Sequence, residues 1–202
     1  MEVVTRMIET LESFDQQLLL YINGANSPLL DIVFYNLSKV WASFPIYLFA
    51  IYLLYRKYGC RKMLVCVFVV CCAIGLADLI STECFKKVIC RYRPTHNLDI
   101  GNFVHVVNGY RGGMYGFVSS HAANMFAFTV GASLYLRKRI WTIVFLVWSL
   151  LVCYSRMYLG VHYPADILCG AILGSVIAYL SYLAETKISV RFTSQQKDNN
   201  LS

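Results

Sequence analysis

Three separated segments of the sequence carry side chains that could bind and transfer a phosphoryl group. A phosphate site needs fixed positive charges and hydrogen-bond donors, and arginine offers a planar fork that matches phosphate oxygens. Such a site also needs a nucleophile and a proton donor for the departing oxygen, and two histidines can divide these roles. The candidate residues are Lys86, Arg93, Ser119, Ser120, His121, Arg156, His162 and Asp166.

His162 and Asp166 are spaced so that they can work together. Pro164 lies between them, and proline followed by an acidic residue is typical of the first turn of a helix. Asp166 can therefore reach back to His162. A carboxylate held by one ring nitrogen fixes the imidazole tautomer and leaves the other nitrogen free to attack phosphorus.

Each of these residues, taken alone, has a simpler interpretation. Basic residues between membrane spans are usually interfacial anchors, and we assign that role to Lys87, Arg91 and residues 137–139. A lone interfacial histidine is usually inert, and an acidic residue at a helix start stabilises the helix dipole. The joint placement of complementary groups near the same ends of predicted helices nevertheless favours a functional site.

The composition indicates a membrane protein. Of the 202 residues, 58% are hydrophobic and only 14% are charged, against roughly a quarter in soluble domains. In a soluble protein the formal net charge of +7 would suggest a nucleic-acid surface. Here the basic residues lie between apolar runs, so we expect the bilayer and a lipid phosphate as partners and no nucleic acid. No long polar block divides the chain, which predicts one domain over residues 1–202.

The apolar runs predict an all-α bundle of five to six membrane helices. The predicted spans are residues 29–55, densest at 40–55, and residues 63–80, 122–136, 140–154 and 165–183. Residues 1–28 have apolar side chains at helical spacing, which predicts an interfacial amphipathic helix, and a sixth span here is left open. Residues 185–202 are predicted to form a polar tail.

The basic residues also predict the orientation of the bundle. If each span crosses the membrane once, residues 56–62, residues 137–139 and the tail lie on the same side, which the positive-inside rule makes cytoplasmic. The loop at 81–120 and the turn at 156–164 then share the opposite side. All eight candidate residues lie in or beside these two segments.

At this point the sequence resembles a known family, the type 2 phosphatidic acid phosphatases, whose superfamily includes the vanadium haloperoxidases. The family motifs are K-x6-R-P, P-S-G-H and S-R-x5-H-x3-D. The first is matched by Lys86, Arg93 and Pro94, and the third in full by Ser155, Arg156, His162 and Asp166. The second is matched at Ser119 and His121, with Val118 and Ser120 in place of proline and glycine.

The resemblance spans about residues 34–183 and implies a helical bundle with a metal-independent site at its outer face. By the resemblance, His162 would be the nucleophile that forms a phosphohistidine, Asp166 its partner, and His121 the acid for the leaving group. The phosphoryl oxygens would be held by Lys86, Arg93, Ser119, Ser120 and Arg156. We expect no metal and no cofactor, since no carboxylate cluster suited to magnesium is found in the sequence.

Two other functional classes are considered. A haloperoxidase could use such a pocket for vanadate, but those relatives are soluble and larger. A lipid-binding transporter or scaffold could keep the pocket without turnover. The presence of all three catalytic candidates, His121, His162 and Asp166, argues against this class.

In fold and size the chain resembles small bacterial envelope members of this family, which implies an envelope lipid of the inner membrane as substrate and a site that faces the periplasm. The polar loop at 95–117 offers hydrogen bonds to a sugar, which favours lipid A, at its 1- or 4′-phosphate. A polar lid is the alternative role for this loop. The loop residues considered are His96, Asn97, Asp99, Asn102, His105, Asn108 and Arg111. Undecaprenyl diphosphate, phosphatidylglycerophosphate and phosphatidate remain alternatives, and the sequence does not indicate an oligomeric state.

Overall fold

In a computed structural model, the backbone is described for residues 2–199 and the side chains for residues 5–7 and 9–191. The α-helices are α1 Glu2–Gly24, α2 Pro28–Leu37, α3 Phe44–Ile80, α4 Lys87–Ile89, α5 Ser120–Leu136, α6 Arg139–Tyr158 and α7 Pro164–Asn199. The segments that are long and apolar enough to cross a membrane are Val40–Ile89, Arg139–Tyr158 and Pro164–Arg191. The prediction of an all-α membrane protein is confirmed.

Helix α3 is a hairpin of two arms that turns at Gly59. The backbone of Gly59 has φ 72° and ψ 175°, which interrupts the helix and which a residue with a side chain rarely adopts. Tyr47 and Leu54 on the first arm line one cavity together with Val67 and Ile74 on the second. In a straight helix, positions 47 and 74 would be about 40 Å apart, so the arms must pack against each other.

The first predicted span, residues 29–55, begins too early. Residues 28–37 form the separate helix α2, and Lys39 has extended backbone before a 3-10 turn at Val40–Ser43. Asp31 in α2 accepts a hydrogen bond of 2.6 Å from the Tyr158 hydroxyl and lies 3.0 Å from His105. These polar contacts tie α2 to the end of α6 and to the loop before α5.

Helix α5 is the most enclosed helix, lying between α3, α6 and α7. Glycines of α7 allow its close approach, since a Cβ at Gly170 would overlap the carbonyl of Ser119 and one at Gly174 the carbonyl of Ala123. The Gly170 and Gly174 spacing is the small-residue pattern of membrane helix contacts. This approach fixes the start of α7 beside the start of α5.

The two ends of the bundle carry different segments, basic residues at one end and the long loops at the other. Lys57 donates hydrogen bonds of 2.8 and 2.7 Å to the carbonyls of Tyr135 and Leu136, and Lys62 forms a 2.9 Å ion pair with Glu185. The basic segments at 56–62 and 137–139 therefore lie at one end, as predicted. The loop at 90–119 and the turn at 159–163 lie at the other.

Helix α1 packs across the second end of the bundle. Its buried stripe is Asp15, Leu19 and Asn23, whereas Met7, Leu11 and Phe14 are exposed. The predicted amphipathic helix is therefore present, with its apolar face pointing outward. Polar residues 185–199 of the predicted tail continue α7 as helix, and residues 200–202 lie outside the described part of the chain.

Candidate active site

A cavity of about 500 Å³ opens at the end of the bundle that holds the loops. It is lined by six of the candidate residues, Lys86, Arg93, Ser120, His121, Arg156 and His162. These six come from three segments, each held at a helix boundary. Lys86 ends a π-helix, Ser81–Lys86, that continues α3 beyond its predicted end, and π-helical turns are frequent at functional sites.

His162 is buried against Asp166, which lies behind it and does not line the cavity. The distance from His162 Nδ1 to Asp166 Oδ2 is 3.5 Å. The same oxygen accepts a 3.0 Å hydrogen bond from the backbone N–H of Tyr163, and Oδ1 accepts one of 2.9 Å from Arg91. Pro164 begins α7, so Asp166 falls in its first turn, as the sequence predicts.

The surroundings of His162 keep its ring neutral. Burial lowers the pKa of His162 well below 6.5, and the positive charges of Arg93, Arg156 and Lys86 lower it further. A neutral imidazole has the free lone pair that a nucleophile needs. The electrostatics of the site therefore suit attack by His162.

The cationic side chains are fixed by bonds that hold them around the cavity. Arg93 donates to the carbonyls of Tyr115 at 3.1 Å and Val161 at 3.3 Å. Arg156 is almost fully buried and donates a 2.9 Å hydrogen bond to the hydroxyl of Tyr110. Because each guanidinium has five N–H donors, donors remain on both for a ligand oxygen.

The two serines of the second motif have different positions. Ser119 is fully buried, caps α5 by accepting a hydrogen bond from the N–H of Ala122, and does not line the cavity. Ser120 does line it, and its hydroxyl accepts a short hydrogen bond from Lys86 and bonds Ser81 at 2.7 Å. The serine that replaces the motif glycine thus orients the lysine.

Gly116 was not identified from the sequence, although it borders three site residues. A Cβ at this position would lie 3.0 Å from Asp166 Oδ2, 3.2 Å from Arg93 Cγ and 3.6 Å from His162 Nδ1. The absence of a side chain therefore lets the loop close over the buried pair.

The interpretation of Arg91 as an interfacial anchor is wrong. Its guanidinium forms ion pairs of 2.9 Å with Asp166 and 2.8 Å with Asp15 of α1. The interpretation failed because Asp15 is 76 residues away in sequence, so no spacing pattern links the two. The only local sign that Arg91 belongs to the site was its position between Lys86 and Arg93 of the first motif.

The polar loop residues that favoured a sugar substrate do not line the cavity. Asn97 accepts a hydrogen bond from the N–H of Asp99, His105 contacts Asp31, and Arg111 donates to the carbonyl of Thr95. The polar lining beyond the phosphate end instead includes Lys39, Asp78 and Asn124, none of which was predicted. Asn124 donates a 3.0 Å hydrogen bond to Asp78 across the lining.

Comparisons with known proteins identify similar chains. The PAP2 superfamily profile matches residues 64–189. A lipid A 4′-phosphatase of Bacteroides thetaiotaomicron is 35% identical over 93% of this chain and 84% of its own. A lipid A 4′-phosphatase of Porphyromonas gingivalis is 33% identical over 87% and 74%. The crystal structure of a PAP2-type phosphatidylglycerolphosphate phosphatase from Bacillus subtilis superposes with a TM-score of 0.66 at 22% identity, covering 89% of this chain and 88% of that one.

Proposed function

The chain belongs to the PAP2 superfamily. We propose that it removes a phosphate from lipid A, preferentially the 4′-phosphate. The observation that carries the proposal is a buried His162, backed by Asp166, that faces three cations in one cavity. The substrate is supported by 35% and 33% identity to two lipid A 4′-phosphatases over most of the chain.

The reaction proceeds through a phosphohistidine. The Nε2 atom of His162 attacks phosphorus while Asp166, beside Nδ1, stabilises the charge that develops on the ring. The negative charge of the bound phosphate favours a proton on His121. His121 passes this proton to the sugar oxygen as the bond between that oxygen and phosphorus breaks. Water then attacks the phosphohistidine, with His121 accepting its proton, and inorganic phosphate leaves.

The phosphoryl oxygens are held by Lys86, Arg93 and Arg156, whose charges offset the charge that builds up on these oxygens in the transition state. The hydroxyl of Ser120 adds a neutral donor. Ser119 is left out of this group because it is fully buried and does not line the cavity.

The sugar of the substrate occupies the part of the cavity around Asp78 and Asn124. Asp78, Thr82 and Lys86 recur every four residues, so they follow one face of the same helix away from the outer loops. A headgroup with its phosphate at Lys86 can therefore place hydroxyl or amide N–H donors at Asp78. A prenyl chain has no such donor, which favours a sugar lipid over undecaprenyl diphosphate.

We infer five membrane passes, formed by the two arms of α3 and by α5, α6 and α7. Helix α1 lies at the outer interface with Met7, Leu11 and Phe14 toward lipid. The basic end is cytoplasmic and the cavity faces the periplasm of the bacterial inner membrane.

The function is tested with purified protein in detergent containing a chelator. Lipid A bisphosphate, undecaprenyl diphosphate, phosphatidylglycerophosphate and phosphatidate are presented at equal surface concentration. We expect the highest kcat/KM for lipid A, with mass spectrometry locating the loss at the 4′-position. Preference for a glycerol or prenyl phosphate would replace the proposed substrate, and no release from any lipid would refute the activity.

The orientation is tested with cysteines that the chain already contains. Cys90 is exposed at the cavity end, and Cys60 is exposed at the basic end. A membrane-impermeant maleimide applied to spheroplasts should label Cys90 and spare Cys60 until the cells are lysed. Single Cys90→Ser and Cys60→Ser variants assign the labelled site, and the reverse pattern would invert the orientation.

A further inference from the structure

Arg91 holds the far side of the Asp166 carboxylate. One nitrogen of its guanidinium bonds Asp166 Oδ1 at 2.9 Å, and another bonds Asp15 Oδ2 at 2.8 Å. The guanidinium carbon also lies 4.1 Å from the centre of the Tyr163 ring. Burial would lower the pKa of Arg91, but the charges of Asp166 and Asp15 raise it, so the ion pairs persist.

Asp15 connects this arginine to the start of α7. Its second oxygen, Oδ1, accepts a 2.9 Å hydrogen bond from the N–H of Ala165, the residue before Asp166. Two turns along α1, Asn23 donates hydrogen bonds to the carbonyls of Tyr158 at 2.7 Å and His105 at 3.0 Å. Helix α1 is thus bonded to both segments that flank the turn bearing His162.

The two oxygens of Asp166 are divided between these partners. Oδ1 is bonded to Arg91, while Oδ2 faces His162 and accepts from the N–H of Tyr163. Since a carboxylate is planar, fixing Oδ1 fixes the direction in which Oδ2 points. Neither Arg91 nor Asp15 lines the cavity, so neither contacts a substrate there, and the direct bond of Arg91 to the catalytic pair is the one to Asp166.

We propose that α1 is a working part of the active site, in which Asp15 and Arg91 are positioning residues that align Asp166 with His162. This inference rests on the proposed phosphohistidine mechanism. Helix α1 therefore contributes to the rate at which His162 attacks phosphorus. This role is in addition to membrane attachment through its outer, lipid-facing side.

The test is steady-state and rapid-quench kinetics of Arg91→Gln and Asp15→Asn on the best substrate of the wild-type protein. Mutation of the outer partners that orient metal-bound histidines typically costs about 10–100-fold in activity. We expect Arg91→Gln to lose kcat by a similar factor, with KM nearly unchanged. The burst of phosphoenzyme should slow equally. Asp15→Asn should lose less, because Arg91 keeps its bond to Asp166.

The double variant should be no slower than Arg91→Gln, because Asp15 acts on Asp166 through Arg91 and both changes break that same line of contacts. Lys87→Gln is the matched control, because Lys87 lies in the same basic segment and its ion pair in the described part of the chain is with exposed Glu83. It should retain full activity. Should Arg91→Gln fail to fold, the isosteric Asp15→Asn tests the inference alone, with a smaller loss of kcat and KM nearly unchanged.

Adding guanidinium ion to Arg91→Ala should restore part of the lost kcat. If Arg91 had a structural role alone, the ion would change the stability of the variant and not its kcat. Wild-type kcat in Arg91→Gln, a change confined to KM, or multiplicative losses in the double variant would each overturn the inference. If His162→Ala is inactive while Arg91→Gln is unimpaired, only this inference fails. If the wild-type protein releases no phosphate from any lipid, the proposed function fails first.

Discussion

The Nδ1 atom of His162 lies 3.5 Å from Oδ2 of Asp166, slightly beyond the length of a good hydrogen bond. Catalytic hydrogen bonds are often long in the free enzyme and shorten when the substrate binds. In this site attack on phosphorus uses the lone pair of Nε2, and positive charge develops on the ring of His162 as the bond forms. The contact with Asp166 should then shorten as the ring gains positive charge during attack.

The first prediction concerns this pair. Asp166→Asn keeps the size of the side chain but removes its charge, and phosphoenzyme formation should slow by about 10²–10⁴-fold. His162→Ala should form no phosphoenzyme, because no other group attacks phosphorus. Rapid-quench trapping of acid-labile phosphoprotein measures both. A phosphoenzyme in His162→Ala would require a different nucleophile.

The second prediction separates the roles of the two histidines. His121→Ala should slow hydrolysis of a sugar phosphate by roughly 10²–10⁴-fold, the usual cost of lost acid catalysis. An aryl phosphate with a good leaving group needs little protonation, so the burst of His121→Ala should recover much of its rate. His162→Ala should recover nothing. Equal responses of the two variants would contradict the assignment.

The third prediction uses the neutral state of His162. Burial and three nearby cations lower its pKa well below 6.5, so the nucleophile should stay unprotonated at about pH 5.5, where a free imidazole is mostly charged. The chain has four histidines, so ring nitrogen signals of ¹⁵N-histidine-labelled protein can be assigned from single variants. Replacing Arg156 by Gln removes a positive charge and should move the His162 midpoint upward. A wild-type midpoint near 6.5 would contradict the prediction.

The fourth prediction tests the sugar end of the cavity. Asp78→Asn keeps the shape but loses the charged acceptor, and a hydrogen bond to a charged group contributes about 1.5–3 kcal/mol, or roughly 10- to 100-fold. The kcat/KM for lipid A should fall by up to that factor, while that for undecaprenyl diphosphate should be unchanged. Glu83→Gln, on an exposed carboxylate outside the cavity, is the control. An equal loss on both lipids would remove Asp78 from substrate selection.

The sequence predicted those features that depend on local order along the chain. Apolar runs located both arms of α3, and motif spacing identified six of the residues that line the cavity. The start of the first span was wrong because Asp31 and Lys39 interrupt the apolar run, and their partners Tyr158, His105 and Tyr110 lie far along the chain.

The site features that could not be predicted depend on contacts between distant segments. Arg91 lies in a basic segment between predicted spans, which is typical of an interfacial anchor. Only the packing of α1 against α7 brings Asp15 to it. The loop at 95–117 is predicted to bind a sugar headgroup because its polar side chains can form hydrogen bonds with it. In the fold, Asn97, His105 and Arg111 bond other parts of the protein.

The last prediction concerns Gly116, where the site leaves no room for a side chain. Its backbone does not have a positive φ, so alanine is conformationally allowed and the substitution tests space alone. The new methyl group would lie 3.0 Å from Asp166 Oδ2 and 3.2 Å from Arg93 Cγ, so one of them must move by a few tenths of an ångström. We expect kcat to fall by about 10-fold, less than the roughly 10²-fold that a displacement of about 1 Å can cost. Gly113→Ala is the matched control, since a Cβ there has no heavy atom within 4 Å in the described structure. Rates are compared for variants with equal thermal stability in detergent, and full activity of Gly116→Ala would show that the pair tolerates the shift.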